Sequence, residues 1–549
     1  MCAPIRIPTY AILACVCMCT PVLAQDIVIG GTVLDRRMGG PIAGATIRLV
    51  ALDGQLIDTT FTDASGMWWY RFAQTGTTAQ ATTAPALFTL EQNYPNPFNP
   101  STHIPFSIGR RGLVRLTAHN VLGQLVDARE QELGAGDYRV EWTASGSAGV
   151  LFYSIETAGR RLTRKMVQLD GHGQGGFGTI RGVAGTIRAF RWSSPADSVH
   201  VIASSLLYEP DTVQIARVNG SRAEQRLTTV HDAAFLIDLH DDVLEQIAGS
   251  GFTYQIGVRN STHQTDIPRL RDGGADAMCF SVWIDPSLTP YYPTTVRYLD
   301  SLLSQFRVNA ADISVATTTD SIAMLQRQGR IAAVLLVEGG HCIEDDLEKL
   351  KDLYRRGMRV MTITWNNSTS WAVSAADRRS ATVGLSEFGR QVIRTLDSLG
   401  VVIDVSHVGK KTIEDILSVT THPIIASHSG AAAIRNHYRN LTDEQLRAIA
   451  ATGGVVGIDF YPPFLTSNGT ATIATVIQHI DYIRTLIGID YLAIGSDFDG
   501  FSSSPVVGLE NVSRYPALTE ALLRHGYSRE DVRKILGENF LRVFRSVAN

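Results

Sequence analysis

The chain from about residue 231 onward alternates short apolar runs with amphipathic segments. The apolar runs are Ala234–His240, Ala277–Trp283, Ala332–Glu338, Met358–Trp365, Val401–His407, Pro423–His428, Gly454–Phe460 and Tyr491–Asp497. The amphipathic segments between them include Glu344–Arg356, Glu387–Leu399, Lys411–Val419, Asp443–Ala451 and Ile473–Ile487. Continuous apolar strands that alternate with helices are typical of a parallel sheet covered on both faces. Eight such units predict a closed (β/α)8 TIM-type barrel, and a doubly wound open sheet is the alternative.

Several of these runs end in residue types that bind metals. They are His240 and Asp242 (first run), Glu338 (third), His407 (fifth), His428 (sixth) and Asp497 (eighth). The carboxyl ends of barrel strands surround one active site, so these side chains are expected to converge. Glu338 is predicted to bridge two ions, because a carboxylate has two oxygens. One ion is then held by His240 and Asp242 and the other by His407 and His428, with Asp238 as a supporting partner of His240.

The segments that carry these residues resemble one enzyme family. They are IDLHDD, TDIPRLRDGGADAMCFS, LVEGGHCIEDDLEKLKDLYRRGMRVMTITWNNSTSWA, GLSEFGRQVIRTLDSLGVVIDVSHV, PIIASHSGAAAIRNHYRN and AIGSDFDG. In this order they resemble the membrane (renal) dipeptidases, peptidase family M19, over residues of about 231–549. The resemblance implies a metal-dependent-hydrolase barrel with two Zn²⁺ ions on the same five ligands. It also implies hydrolysis of small dipeptides by a water activated between the ions.

The resemblance implies roles for further residues. Asp497 matches the first Asp of the family DFDG motif and is expected to orient the water and shuttle its proton, with Asp499 as the alternative. Arg439 matches the family arginine that binds the terminal carboxylate of the substrate. Trp365 stands where many members have a substrate-contacting histidine. Tryptophan cannot act as a general acid but can stack on a substrate, so Trp365 is a predicted substrate-binding residue.

The first part of the chain reads as all-β modules. Residues 26–75 carry PIAGATIRL and TDASG, which resemble a carboxypeptidase-regulatory-like β-sandwich, and residues of about 186–220 are predicted to complete it. Between them, residues 86–170 carry QNYPNPFNPST and resemble the FlgD-like, sorting-type Ig-like module. We expect the β modules to tether or display the enzyme, with the cell surface as a candidate contact.

The amino terminus reads as an export signal. Arg6 precedes a short apolar core, and Val22-Leu23-Ala24 suits signal peptidase, so residues 1–24 are predicted to be removed. A membrane anchor is the alternative, but the apolar run is short for a bilayer. We therefore expect a periplasmic, cell-surface or extracellular bacterial protein without a transmembrane segment. Only Cys279 and Cys342 lie beyond the signal, and the sequence leaves their pairing open.

A formal net charge of −4 gives no reason to expect nucleic acid as a partner. Together, the ligand pattern, the family resemblance and the export signal predict an exported binuclear zinc dipeptidase, a metalloprotease in the broad sense. The sequence leaves open whether the protein forms a homodimer. One alternative is hydrolysis of an N-acyl amino acid, a lactone or a β-lactam at the same site. The other is a non-catalytic surface-binding protein with a retired barrel.

Overall fold

The computed structural model describes most of the chain from residue 27 onward. The described residues are 27–52, 56–72, 88–90, 93, 96, 98, 101–108, 111–134, 136–144, 149–157, 160–168, 175–182, 198–216, 221–467 and 470–548. The predicted signal peptide, residues 1–24, therefore lies outside them. The chain divides into two compact units, of which the first comprises 1–29, 70–197 and 216–221, and the second comprises 30–69, 198–215 and 222–549.

The first unit is built from antiparallel strands. They are β5 (Phe88–Leu90), β6 (Ser101–Ile108), β7 (Gly112–Asn120), β8 (Leu125–Leu133), β9 (Gly136–Thr143), β10 (Gly149–Thr157), β11 (Arg160–Gln168), β12 (Gly176–Phe177) and β13 (Arg181–Gly182). One sheet has the order β11-β10-β7-β8 and the other β12-β9-β6-β5, with β13 also on β9. Trp142, Tyr153 and Ile104 are buried in its apolar core. The predicted all-β character is confirmed, whereas the Ig-like resemblance remains a prediction.

Two further sheets combine strands from both ends of the amino-terminal part. The early strands are β1 (Ile27–Asp35), β2 (Thr46–Val50), β3 (Leu56–Phe61) and β4 (Met67–Phe72), and the later ones are β14 (Ser198–Ser205), β15 (Tyr208–Ala216) and β16 (Arg222–Leu227). The strand orders are β16-β1-β4 and β15-β14-β2-β3. Gln225 of β16 donates to the carbonyl of Val201 on β14, so the two sheets are in direct contact.

A closed ring of eight parallel strands forms the carboxyl-terminal domain. Its strands are β17 (Ile237–Asp241), β18 (Ala277–Trp283), β20 (Ile331–Glu338), β21 (Met358–Thr362), β22 (Val402–Asp404), β23 (Ile425–Ser429), β24 (Val455–Ile458) and β25 (Leu492–Ile494). They pair in that order, β25 returns to β17, and the short β19 (Ile313–Val315) pairs with β20 outside the ring. Each predicted apolar run overlaps one ring strand, so the predicted barrel is confirmed.

Helices connect the ring strands and cover them. They are α1 (Val230–Ala233), α2 (Val243–Gly249), α3 (Ile267–Asp272), α4 (Tyr291–Val308), α5 (Thr319–Arg327), α6 (Leu347–Arg355), α7 (Glu387–Leu399), α8 (Lys410–Leu417), α9 (Asp443–Ala451), α10 (Pro462–Leu465), α11 (Ile473–Ile487), α12 (Tyr515–His525), α13 (Arg529–Arg533) and α14 (Asn539–Val547). Short 3₁₀ turns lie at Gly340–Ile343, Ile489–Tyr491 and Val512–Arg514, and Lys534–Glu538 is a π-helical segment between α13 and α14. None of the helices in the described residues has the length and apolar character needed to cross a membrane.

The strand interiors explain why the barrel closes. All eight residues of β20 are buried, as are all five of β17, because one face packs inside the ring and the other packs on helices. Cys279 and Cys342 are both buried and both free thiols. Polar residues at the strand ends are therefore held on a rigid rim, which is where the candidate site lies.

Candidate metal centre

The barrel brings the five predicted ligands into one cluster. His240 Nε2 lies 3.4 Å from Asp242 Oδ2 and 3.6 Å from Glu338 Oε2. On the other side, Glu338 Oε1 lies 3.0 Å from His407 Nε2 and 3.7 Å from His428 Nε2. Glu338 thus stands between two groups, with one oxygen directed to each.

Ligand atoms within 4.8 Å of one another fall into overlapping groups among the described residues. They are His240–Asp242–Glu338, Glu338–His407–His428 and His240–His428–Asp497. The first two correspond to the division predicted from the strand order, in which Glu338 is shared. The third brings Asp497, from the end of the eighth ring strand, against one histidine of each group.

A buried hydroxyl network fixes the histidine rings. Ser427 Oγ lies 3.1 Å from His240 Nδ1 and 2.9 Å from His428 Nδ1, and it donates to Asp404 Oδ2 at 2.7 Å. Asp404 also accepts from the Thr362 hydroxyl at 2.5 Å. Because the Nδ1 atoms are engaged behind the site, both Nε2 atoms point into it, which is the usual support for metal-binding histidines.

His407 is held differently. Its Nδ1 lies 3.0 Å from Asn366 Oδ1, and its backbone has a φ of 65°, which is uncommon for a residue other than glycine. Asp238 accepts from the backbone N–H of His240 at 3.2 Å and from the Tyr515 hydroxyl at 2.5 Å. Asp238 therefore supports the strand end, while Ser427 orients the ring.

Two observations test whether these residues fit a metal. His240 Nε2 and Asp242 Oδ1 are buried and have no hydrogen-bond partner among the described residues, and such unsatisfied buried atoms are costly without a ligand. Burial and the charge of Arg439 lower the pKa of His407 to about 4, and burial lowers that of His428 well below its usual value. Both imidazoles are then neutral, the form that coordinates a metal. The residues therefore fit a pair of divalent ions.

Asp497 and Asp499 have different surroundings although they are two residues apart. Asp499 accepts from the backbone N–H groups of Gln264 and Thr265 at 2.8 and 2.9 Å. Asp497 faces the ligand cluster, and burial together with the charges of Asp459 and Asp242 raises its pKa well above the usual range. Of the two, only Asp497 is placed beside the histidines.

Arg439 lies beside the second ligand group. Its side chain is buried, donates to the carbonyl of His428 at 3.3 Å and stacks over Phe464 at 5.4 Å, while Nε has no hydrogen-bond partner among the described residues. Asp459, at the end of the seventh ring strand, is also buried, and its Oδ2 has no hydrogen-bond partner among the described residues. Burial raises the pKa of Asp459 to about 7, against the attraction of Arg439. A buried guanidinium with free donors suits an anionic group of a ligand.

Trp365 is part of an aromatic wall at the rim. Its ring lies 4.9 Å from that of Trp283 and 6.1 Å from that of His407, measured between ring centroids. Trp283 ends the second ring strand, and its Nε1 is buried without a hydrogen-bond partner in the described part of the chain. The wall offers apolar surface and a free donor next to the metal ligands.

Sequence reasoning missed residues that complete the site. These are Asp404, Ser427, Asn366, Asp459 and Trp283. Asp404 and Ser427 lie inside apolar runs, and a polar residue in an otherwise apolar buried strand was the available signal. The partners that these residues meet become apparent only when the ring closes.

A parallel barrel with histidines and carboxylates at its carboxyl-terminal rim is typical of metal-dependent hydrolases. The family model of the membrane dipeptidases, peptidase family M19, matches residues 224–549. The chain belongs to this family.

Individual relatives agree with the family match. Human Dipeptidase 3 is 34% identical over 320 residues, which span 57% of this chain and 65% of the human protein. The solved structure of dipeptidase AC, a metallopeptidase of family M19, is 26% identical and covers 57% of this chain and 99% of its own, with a TM-score of 0.54. A metallopeptidase from Rhodobacter sphaeroides, solved with a phosphinate mimic of L-Ala-D-Ala, shares the barrel at 24% identity, with the same coverage and TM-score.

Proposed function

We propose that this protein is an exported dipeptidase that uses two zinc ions held by His240, Asp242, Glu338, His407 and His428. The observation that carries the proposal is the position of Glu338, whose two oxygens face two separate ligand groups. The membership of the chain in the dipeptidase family gives the substrate class.

Two ions at this site would supply an activated water and polarise the scissile carbonyl. Arg439 binds the carboxylate at the end of the dipeptide, because its guanidinium is buried beside His428 with unused donors. This fixes the peptide bond over the ligand cluster. Asp497 orients the water and passes its proton to the leaving amine, since it lies against His240 and His428. Trp365 packs against the side chain of the substrate.

The decisive experiment combines metal content with a substrate panel. The purified full-length chain is assayed on L,L- and L,D-dipeptides before and after chelation and after zinc is restored, and bound zinc is measured by mass spectrometry. We expect about two zinc ions per chain and turnover that is lost and regained with them. Absence of metal-dependent turnover of every dipeptide would defeat the proposal.

His240→Ala is the matching variant. It should lower kcat/KM by at least about a hundredfold and reduce the bound zinc, because it removes a ligand and leaves a buried carboxylate pair. His525→Gln, at an exposed histidine on α12, is the control and should retain both. Wild-type activity in His240→Ala would contradict the assignment.

The other functions are tested by the same panel. N-acyl amino acids, lactones and β-lactams are the alternative substrates, and a preference for one of them would point to another amidohydrolase activity on the same ligands. A non-catalytic role is disfavoured because a retired site has no reason to keep five ligands together.

The location and the domain division are part of the proposal. Arg6 and the apolar run that follows it support export, with the β modules displaying the enzyme. Residues 26–75 and about 186–220 are proposed to form one module interrupted by the 86–170 module. The pairing of β2 with β14 supports this division.

A further inference from the structure

A cavity adjoins the metal centre on the side of the first and eighth ring strands. Its volume is about 590 Å³, and its walls include Glu245, Arg269, Asp499, Gly500 and Glu510. Gly500 lines the cavity and also lies against the metal centre, because a Cβ on it would meet the carboxylate oxygens Asp242 Oδ2 and Asp497 Oδ1. The cavity therefore begins beside two carboxylates of the centre.

Some of the charged side chains in this cavity have an ion-pair partner, and one carboxylate, that of Glu245, has none in the described part of the chain. Arg269 bonds to Asp266 at 2.6 Å, and Glu510 lies 3.3 Å from Arg514. The carboxylate of Glu245, on the first turn of α2, has no ion pair or hydrogen bond among the described residues. The unbalanced charge in the cavity is therefore negative.

The proposed orientation of the substrate decides which part of it reaches this cavity. With the terminal carboxylate on Arg439, beside His428, the peptide bond crosses the ligand cluster toward Asp242. The amino-terminal residue then lies at Asp242 and Gly500, next to the cavity. A volume of this size accommodates a long side chain.

We propose, on the basis of the dipeptidase function above, that Glu245 is a specificity-determining residue that binds the cationic side chain of a lysyl or arginyl residue at the amino end of the dipeptide. Glu510 is paired with Arg514, and Asp499 accepts two backbone N–H groups, which leaves Glu245 as the carboxylate available to this side chain.

The test compares lysyl-alanine with norleucyl-alanine, which has a side chain of similar length and no charge. Zinc-loaded full-length protein should have a kcat/KM at least about tenfold higher for lysyl-alanine, since a charge-assisted bond in a partly buried site is strong. In Glu245→Gln this ratio should fall to about two or less, and Glu245→Asp should keep part of it. Glu510→Gln is the matched control and should keep the wild-type ratio, because its carboxylate is already paired.

The outcomes separate the two proposals. Turnover of alanyl-alanine without a preference for the lysyl substrate, or a preference that survives in Glu245→Gln, would overturn the role of Glu245 alone. Failure to hydrolyse any dipeptide, alanyl-alanine included, would instead overturn the proposed function. Thermal melting of each variant shows that it is folded before its ratio is interpreted.

Discussion

Ser427 supports two of the histidines in the metal centre. One hydroxyl lies against Nδ1 of both His240 and His428 and donates to the buried carboxylate of Asp404. It thereby connects a histidine of the first ligand group with one of the second. The spacing of the two groups is consequently set by a hydroxyl and a carboxylate that bind no metal themselves.

Arg439→Lys tests the proposed grip on the terminal carboxylate. Lysine keeps the charge but loses the planar fork that binds both oxygens, so kcat/KM for dipeptides should fall about 10- to 100-fold. The corresponding dipeptide amides, which lack the carboxylate, should be affected far less. Equal losses on acid and amide substrates would show that Arg439 serves the structure of the site.

Trp365→Ala tests the aromatic wall. Removal of the ring leaves Trp283 without its aromatic neighbour and should raise KM about tenfold for dipeptides with apolar side chains, with zinc content unchanged. The control is Trp69→Ala, since Trp69 is exposed on β4. An unchanged KM in Trp365→Ala would exclude substrate contact.

Helix α11 is fastened to the metal rim through His479. Its Nδ1 accepts the backbone N–H of Ala431 at 3.0 Å, and its Nε2 donates to the carbonyl of Leu465 at 3.0 Å. Ala431 follows the strand that carries His428, so one neutral imidazole joins α11, α10 and the loop beyond that strand. Protonation of His479 at Nδ1 would remove the acceptor of the hydrogen bond from Ala431.

This arrangement predicts an acid sensitivity. Burial lowers the pKa of His479 in the folded protein below its unfolded value of about 6.5. The contribution of His479 is therefore complete above that pH, and below it the unfolded chain binds a proton that the folded chain excludes. The stability contributed by the residue falls by up to about 1.4 kcal/mol per pH unit.

The measurement compares His479→Gln with the wild type by thermal melting at pH 8 and pH 5.5 with the metal removed. The difference in the free energy of unfolding between them should shrink by about 1 kcal/mol at the lower pH. Trp69→Ala, which changes an exposed side chain and no titratable group, is the control and should show no such change. A difference that stays constant with pH would contradict the assignment.

The second unit joins strands that are distant in sequence. β1 pairs with β16 in parallel, from Gly30 with Arg222 to Asp35 with Leu227. Within the same unit, Arg529 of α13 donates to the carbonyls of Ser205 and Tyr208 at 2.7 and 2.9 Å and so connects the barrel with β14 and β15. Residues 27–72 are thus held by partners that follow them by more than a hundred positions.

This pairing predicts the result of a controlled cleavage. Protease sites placed within residues 73–87 and 183–197 should excise the intervening segment, while 27–72 elutes with 198–549 in size-exclusion chromatography. Denaturant should be needed to separate them, because backbone ladders and buried apolar side chains connect the fragments. Release of 27–72 under native conditions would contradict the proposed module.

The fold class could be predicted from the sequence alone, and so could the placement of the candidate ligands at strand ends. The apolar runs predicted all ring strands, and α7, α9 and α11 have the predicted bounds, because burial on both faces and helical amphipathicity are encoded locally. His240, Glu338 and His428 could be predicted because barrel topology places strand ends together.

Only the tertiary structure decided which neighbours these residues meet. Ser427 and Asp404 are ordinary polar residues in the sequence, and they become the support of two histidines only after strands 20 or more residues apart are paired. Closure of the first strand against the eighth places Glu245 at a cavity where its carboxylate has no ion-pair partner among the described residues. Contacts between distant segments depend on the packing of the whole barrel, which no local pattern of residues specifies.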